Sequence, residues 1–294
     1  MTTARPRTGK PPTAADRRPP TGVRTAARRD IRAGGWTALV RRDFRAEPLA
    51  RAAVLLDLAF AAVNLAVFLL ISRFLSAPGR AAVEPSHDYF GYVAVGLSFM
   101  LVIQATTTQL TARVTAEQRA GTLEMLATQP LSPAALATGV AGYPFLLAAG
   151  RATIYLTVLG PLLGLRVGHA DWPGVAVLLL VGCAAMAGVG ILLMAVTVVV
   201  RPGDAAARVT VVALTFLSGT YFPVDALPAA LRPLALALPS RLALDGLRAA
   251  LAGASWTGPA LALLGVAAVG LPLSTWTFGR ALALATRRGI LTRD

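Results

Sequence analysis

The sequence predicts an all-α integral membrane protein with six transmembrane helices, and three observations carry that reading. The 294 residues are 55% hydrophobic and only 14% charged, with a mean hydropathy of +0.64. A single water-soluble core of this size cannot hide so much apolar surface. The apolar residues gather into six runs, each near the roughly 20 residues that cross a bilayer as a helix. The charge collects at the ends, with 12 of the 28 Lys+Arg in the first 49 residues and Arg280, Arg287, Arg288 and Arg293 in the last 15.

Taken in order, residues 1–33 are rich in Pro and Arg and contain no short apolar run followed by a small-residue cleavage site. They are expected to form a disordered basic cytoplasmic tail that is retained. Residues 34–49 form an amphipathic interfacial helix. Trp36, Val40 and Phe44 recur at i, i+4 while Arg41, Arg42 and Arg45 occupy the other side, as in a helix lying on the inner membrane surface. Pro48 separates it from a transmembrane domain over 50–280, and 281–294 form a cytoplasmic C-terminal tail. The six spans run from Ala52 to Leu75, Phe90 to Ala112, Ala134 to Leu165, Pro173 to Val200, Ala205 to Tyr221 and Gly258 to Arg280. The third is long enough to project from the membrane or to bend near Gly150. In the fourth, Gly182, Ala185, Ala187, Gly188 and Gly190 would let another helix approach closely.

Arginine placement sets the orientation. With both termini in the cytoplasm, the inner segments hold 20 Lys and Arg and the outer loops hold 6, as the positive-inside rule requires. Trp172 and Trp256 precede spans and Trp276 lies near the end of the last, where an amphipathic ring prefers the headgroup level. The basic tail runs straight into apolar helices, so anionic lipid, not nucleic acid, is its partner. Cys183 lies alone in an apolar run and implies no disulfide, metal or redox chemistry.

The most informative stretch is Arg113 to Pro133, RVTAEQRAGTLEMLATQPLSP. Thr115 and Gln118 have capping-box spacing, Gly121 interrupts, and Leu123, Leu126 and Ala127 give an apolar edge beside Glu124. Ser132 followed by Pro133 opens the next helix as N-cap and first-turn proline. A short amphipathic cytoplasmic helix between two spans is suited to a groove on another protein; an inert loop fits the periodicity equally well. The run Glu117-Gln118-Arg119-Ala120-Gly121-Thr122-Leu123-Glu124-x-Leu126, then Pro130-Leu131-Ser132, resembles the coupling-helix region of permease subunits of ABC-2 type ATP-binding cassette exporters.

A second stretch resembles the same family. Thr220-Tyr221-Phe222-Pro223 leads to Leu227-Pro228, Leu231, Pro239 and Arg248, similar to a Phe-Pro, Leu-Pro, Pro and Arg series in those permeases. Prolines 223, 228, 233 and 239 forbid one continuous helix, and Arg232, Arg241, Asp245 and Arg248 are too many charges for another span. The physical reading is a short helical hairpin at the outer face, re-entrant or lying flat. It acts either as an outer gate or as an amphipathic cap. Arg241 with Asp245, and Asp245 with Arg248, are spaced to pair on one helical side.

The resemblance implies docking of Glu117, Arg119, Gly121, Thr122, Leu123, Glu124 and Leu126 on a cytoplasmic ABC ATPase subunit, two copies per complex. It also implies a second permease chain, identical or related, in the plasma membrane, with export of a drug-like, lipid or glycan cargo. ATP and Mg²⁺ belong to that partner. Only Lys10 is available for a phosphate loop, yet Ala4 and Pro11 stand where Gly and Ser or Thr are needed. His87 and His169 lie in outer loops without metal-ligand spacing. Within the spans, Asp57 and Asn64 share a helix face, and Arg151 lies mid-span. Such residues either line a substrate path or serve as interhelical and snorkelling groups. The rival readings are an ion-coupled secondary transporter using Asp57 or Glu124, and a membrane-embedded enzyme. No internal repeat favours the first and no catalytic set favours the second.

Overall fold

The computed structural model describes residues 50–75, 89–119, 133–165, 167–199 and 203–287, and the regular structure among them is entirely helical. Helix α1 spans Ala50–Leu75. Helix α2 (Tyr89–Gln104) passes through a π-helical turn, Ala105–Gln109, into α3 (Leu110–Arg119). Helix α4 (Pro133–Ile154) passes through a second π turn, Tyr155–Leu159, into the short α5 (Gly160–Leu162). Then follow α6 (Trp172–Val199), α7 (Gly203–Leu217), α8 (Arg232–Leu236), α9 (Pro239–Leu251) and α10 (Thr257–Arg287). The 1–33 tail, the 34–49 amphipathic helix, His87, Gly121, Thr122, Leu123, Glu124 and Leu126 lie outside the described residues, as do the side chains of Asp57 and Arg119.

Among the described residues, four stretches meet the length and apolarity needed to cross a membrane: Tyr89–Glu117, Ala134–Leu162, Trp172–Val199 and Thr257–Ala285. Two further apolar helices stand where the first and fifth spans were expected, α1 over 26 residues and the shorter α7 over 15. Large apolar side chains point outward along the helices, among them Leu56 and Phe60 on α1 and Leu261 and Val269 on α10. An apolar surface of that extent belongs in lipid, not in water. Pro144 and Pro272 sit inside helices, which neighbouring helices make tolerable in a membrane bundle.

Helix α6 is the hub. It packs along α10 over the most extensive interface in the molecule and also meets α9, α3 and α4. Its small residues make this possible, as the sequence predicts. A Cβ at Gly182 would press on Phe99 and Ala243, one at Gly188 on the Gly270 backbone, and one at Gly190 on Leu110 and Thr106. The apolar core runs through Phe99, Ile103, Leu178, Met186, Met194, Leu244 and Phe278, all almost fully buried.

Two local expectations need correction. Thr115 is not a helix cap, because α3 continues through it to Arg119 and its hydroxyl donates to the Thr111 carbonyl at 2.9 Å. Inside a helix a threonine hydroxyl satisfies itself on the preceding turn and does not start a new one. Gly150 lies within regular helix α4, and the departure from α geometry comes at Tyr155–Leu159. Pro161 supplies the reason, since its ring crowds the carbonyl four residues back, at Thr157, and a wider turn relieves that clash.

A tight approach joins α2 to the turn after α7, where a Cβ on Gly96 would collide with the Thr220 carbonyl. Gly96→Ala should therefore lower stability by about 1–3 kcal/mol through overpacking. Gly150→Ala, with nothing within 4 Å of its Cβ position, should be neutral or stabilising by up to about 1 kcal/mol. Thermal unfolding of the two purified variants in detergent distinguishes them.

Candidate functional site

The described residues at one end of the bundle are fastened through helix α9. That helix starts at Pro239, which costs no backbone hydrogen bond in a first turn. It buries Ala243, Leu244, Leu247 and Ala250 against the bundle and presents Arg241, Asp245 and Arg248 on another side. Arg241 reaches Asp245 at 3.3 Å and Arg248 lies 3.8 Å from it, the spacing expected from i, i+4 and i, i+3. Asp245 is 46% exposed, so these pairs contribute little, about 0–1 kcal/mol.

Arg248 does more through its other contacts. Nη2 donates to the Gly219 carbonyl at 2.7 Å and to the Tyr92 carbonyl at 3.3 Å. The guanidinium lies 3.4 Å from the centroid of the Tyr92 ring. Burial lowers its pKa from the ordinary value, while the Tyr92 and Asp245 charges oppose the shift; a guanidinium nevertheless stays protonated in proteins. One side chain thus joins α9, the start of α2 and the end of α7.

The acceptor at Gly219 is built by a helix stop. Gly219 has φ +77°, a conformation that favours glycine. Its N–H bonds the Phe216 carbonyl and the Thr220 N–H bonds the Thr215 carbonyl, the paired bonds of a Schellman motif. The turn that follows holds the residues of the outer motif. Ser218 and Thr220 hydroxyls meet at 3.0 Å, Tyr221 stacks on Phe68 of α1, and Phe222 packs on Phe216. Pro223 leads into a 3-10 turn, Val224–Ala226, and Leu227 is buried with Val224 and Ala235. Pro228 is exposed, and Arg232 closes the hairpin by donating to the Leu227 and Asp225 carbonyls at 3.1 and 2.7 Å. Two short helices, α8 and α9, follow this turn, divided at Leu238 and Pro239.

A second junction was not foreseen. Asp171 accepts the Gly174 N–H at 3.1 Å and the Trp256 indole N–H at 2.6 Å, while its own N–H bonds the Ala250 carbonyl at 2.9 Å. It therefore caps α6, binds the residue that precedes α10 and holds the end of α9. Trp256 is half-buried by this bond, and its ring lies against Gly174 where a Cβ would clash. Trp276 is 55% exposed, with Arg280 4.1 Å above its ring. The sequence Asp171-Trp172-Pro173 carried a legible N-cap signal.

At the opposite end, α3 and α4 bracket residues 120–132. Glu117 is half-buried near the end of α3, and the Arg113 guanidinium sits 5.0 Å from the ring centroid of buried Tyr143 on α4. Above them, Thr106, Thr107 and Thr111 bond the carbonyls of Val102, Ile103 and Thr107 around the first π turn. A cavity of about 280 Å³ between α3 and α7 is lined by Thr108, Thr111, Thr115 and Arg208. Asn64 is half-buried on α1 and Arg151 half-buried on α4. Cys183 is buried, and no group of His, Cys, Asp and Glu suited to a metal occurs among the described residues.

Removing the Arg248 side chain should strand the Gly219 carbonyl and cost about 2–4 kcal/mol, whereas Asp245→Asn should cost less than about 1 kcal/mol. Arg248→Lys should recover only part of the loss, since an ammonium cannot stack on Tyr92 as a planar fork does. Melting curves of the three variants check this order.

No individual curated protein matches the chain. A family match does occur, to the ABC-2 type transporter, over residues 36–252. That match covers more than half of the 294 residues and takes in both the bracketed inner segment and the Arg248 hairpin, so the chain belongs to the ABC-2 type transporter family as a permease component.

Proposed function

We propose that this chain is the transmembrane subunit of an ABC exporter, driven by ATP hydrolysed on a separate cytoplasmic subunit. The observation that carries the reading is the family match over residues 36–252. Two ATPase copies and a second permease chain complete the assembly, in the plasma membrane with both termini inside. Helix α1, of 26 residues, and the shorter α7, of 15, complete the six spans, α7 against that second chain and locally thinned lipid, as short hydrophobic stretches do.

Coupling runs through residues 117–126. Closure of the ATPase pair pushes this segment, and its two flanking helices receive the push together because Arg113 rests on Tyr143. The outer ends of the spans are held by Arg248 and Asp171, so an inner displacement becomes a tilt of packed helices and opens a path between the two permeases. Helix packing favours such discrete rearrangement over continuous bending. The cargo is a drug-like, lipid or glycan molecule, and the hairpin at Phe222, Pro223, Leu227, Pro228, Pro239 and Arg248 forms the outer gate.

Co-purification with the partner ATPase should be lost on Glu124→Arg or on deletion of residues 121–126; retention of a stoichiometric complex would remove the docking claim. Reporter fusions after residue 124 and at both termini should read as cytoplasmic, and an external reading from residue 124 would invert the topology.

A further inference from the structure

Beside the Arg248 junction lies a cavity of about 360 Å³ bounded by Gly91, Tyr92, Val95, Leu165, His169, Arg248 and Leu251. It lies within the size range of small-ligand pockets and has their composition, mostly apolar walls with a few convergent polar groups. Nothing in the transport reading uses it. Val95, Leu165 and Leu251 supply the apolar wall and are nearly fully buried as side chains. Arg248 and His169 supply the polar edge, and among the described residues no carboxylate lines the cavity.

The guanidinium retains donor capacity there. Its Nη2 is committed to Gly219 and Tyr92. Nε is closed off from the cavity, whereas Nη1 stands 3.8 Å from Asp245, beyond hydrogen-bonding distance, and its N–H groups are the ones left for a ligand. A cation with donors to spare favours a planar or tetrahedral oxyanion, while the apolar wall favours an attached hydrocarbon group.

We infer that this cavity binds an amphiphilic anion, its acidic head on Arg248 and His169 and its apolar part along Val95, Leu165 and Leu251. The source is either an acidic membrane lipid or a free amphiphilic acid, since both present the same chemistry. Binding here needs no ATPase partner, so its outcome is independent of the transport reading.

The test is calorimetric titration of the purified full chain in neutral detergent. The ligands are dihexanoyl-phosphatidylglycerol, dihexanoyl-phosphatidylcholine, hexyl phosphate and inorganic phosphate. One site per chain is expected, with the glycerol lipid bound at least about tenfold more tightly than its choline counterpart, a difference of about 1.4 kcal/mol. Inorganic phosphate should bind more weakly than either amphiphilic anion. Hexyl phosphate equal to the glycerol lipid identifies a general amphiphilic acid, and a clear preference for the lipid identifies a lipid site; both support the inference. His169→Glu places a carboxylate at the cavity edge on an exposed residue and should abolish the preference for anions without lowering the melting temperature. Val95→Trp should block all binding by filling the apolar wall. Equal affinity for the two lipids, inorganic phosphate matching the amphiphiles, or unchanged binding in a folded His169→Glu variant would overturn the inference.

Discussion

A guanidinium buried beside lipid-facing helices must spend its donors on the protein, and Arg248 spends them on the backbone. Its bonds to the Gly219 and Tyr92 carbonyls and its stacking on the Tyr92 ring bring together three segments that are remote in sequence. Helix α9 is too charged to insert as a span and too apolar to leave the bundle. The arginine resolves that conflict by tying the helix where its apolar side meets α6 and its polar side meets the turn after α7. The Asp171 junction then holds the other end of the same helix to the starts of α6 and α10. Without these two junctions, the hairpin would have little besides side-chain packing to fix its position.

The opposite end of the molecule is organised differently. There an arginine lies over a tyrosine ring across the two flanking helices, and threonines bond to their own helix. The π turn at Ala105–Gln109 lies between the part of the second span that meets the hairpin and its extension toward residue 119. A wider turn has poorer bond geometry than α-helix and is a natural place for a helix to change direction. A pinned hairpin and a wider turn in the opposite half of the second span suit the function proposed above, in which mechanical input enters at one end.

Much of this was legible from local pattern. Helix existence, the glycine-rich hub, the proline-divided hairpin and the i, i+4 pairing of Arg241 with Asp245 all follow from spacing along one segment, which periodicity records. The partners of Arg248 are 29 and 156 residues away, and those of Asp171 include Trp256 at a separation of 85; no period marks such pairs. Thr115 misled because a hydroxyl three residues before a glutamine fits a cap or a helix interior alike, and only the continuity of α3 decides between them. The fifth apolar stretch was read through to Tyr221 because composition counts residues without regard to where regular helix ends, and the Gly219 stop ends α7 at Leu217. The signals at Gly219 and at Asp171-Trp172-Pro173 were present in local chemistry.

The account rests on motion entering at the inner ends of the spans and leaving the packing within each chain intact. Electron-spin distance measurements test this most directly, in a Cys183→Ala background with labels at Ala116 and Thr138, both exposed. On ATP binding by the partner subunits, the separation of Ala116 between the two permease chains should change by several ångström while the Ala116 to Thr138 separation within one chain stays constant. A between-chain separation that does not respond to ATP would contradict the account.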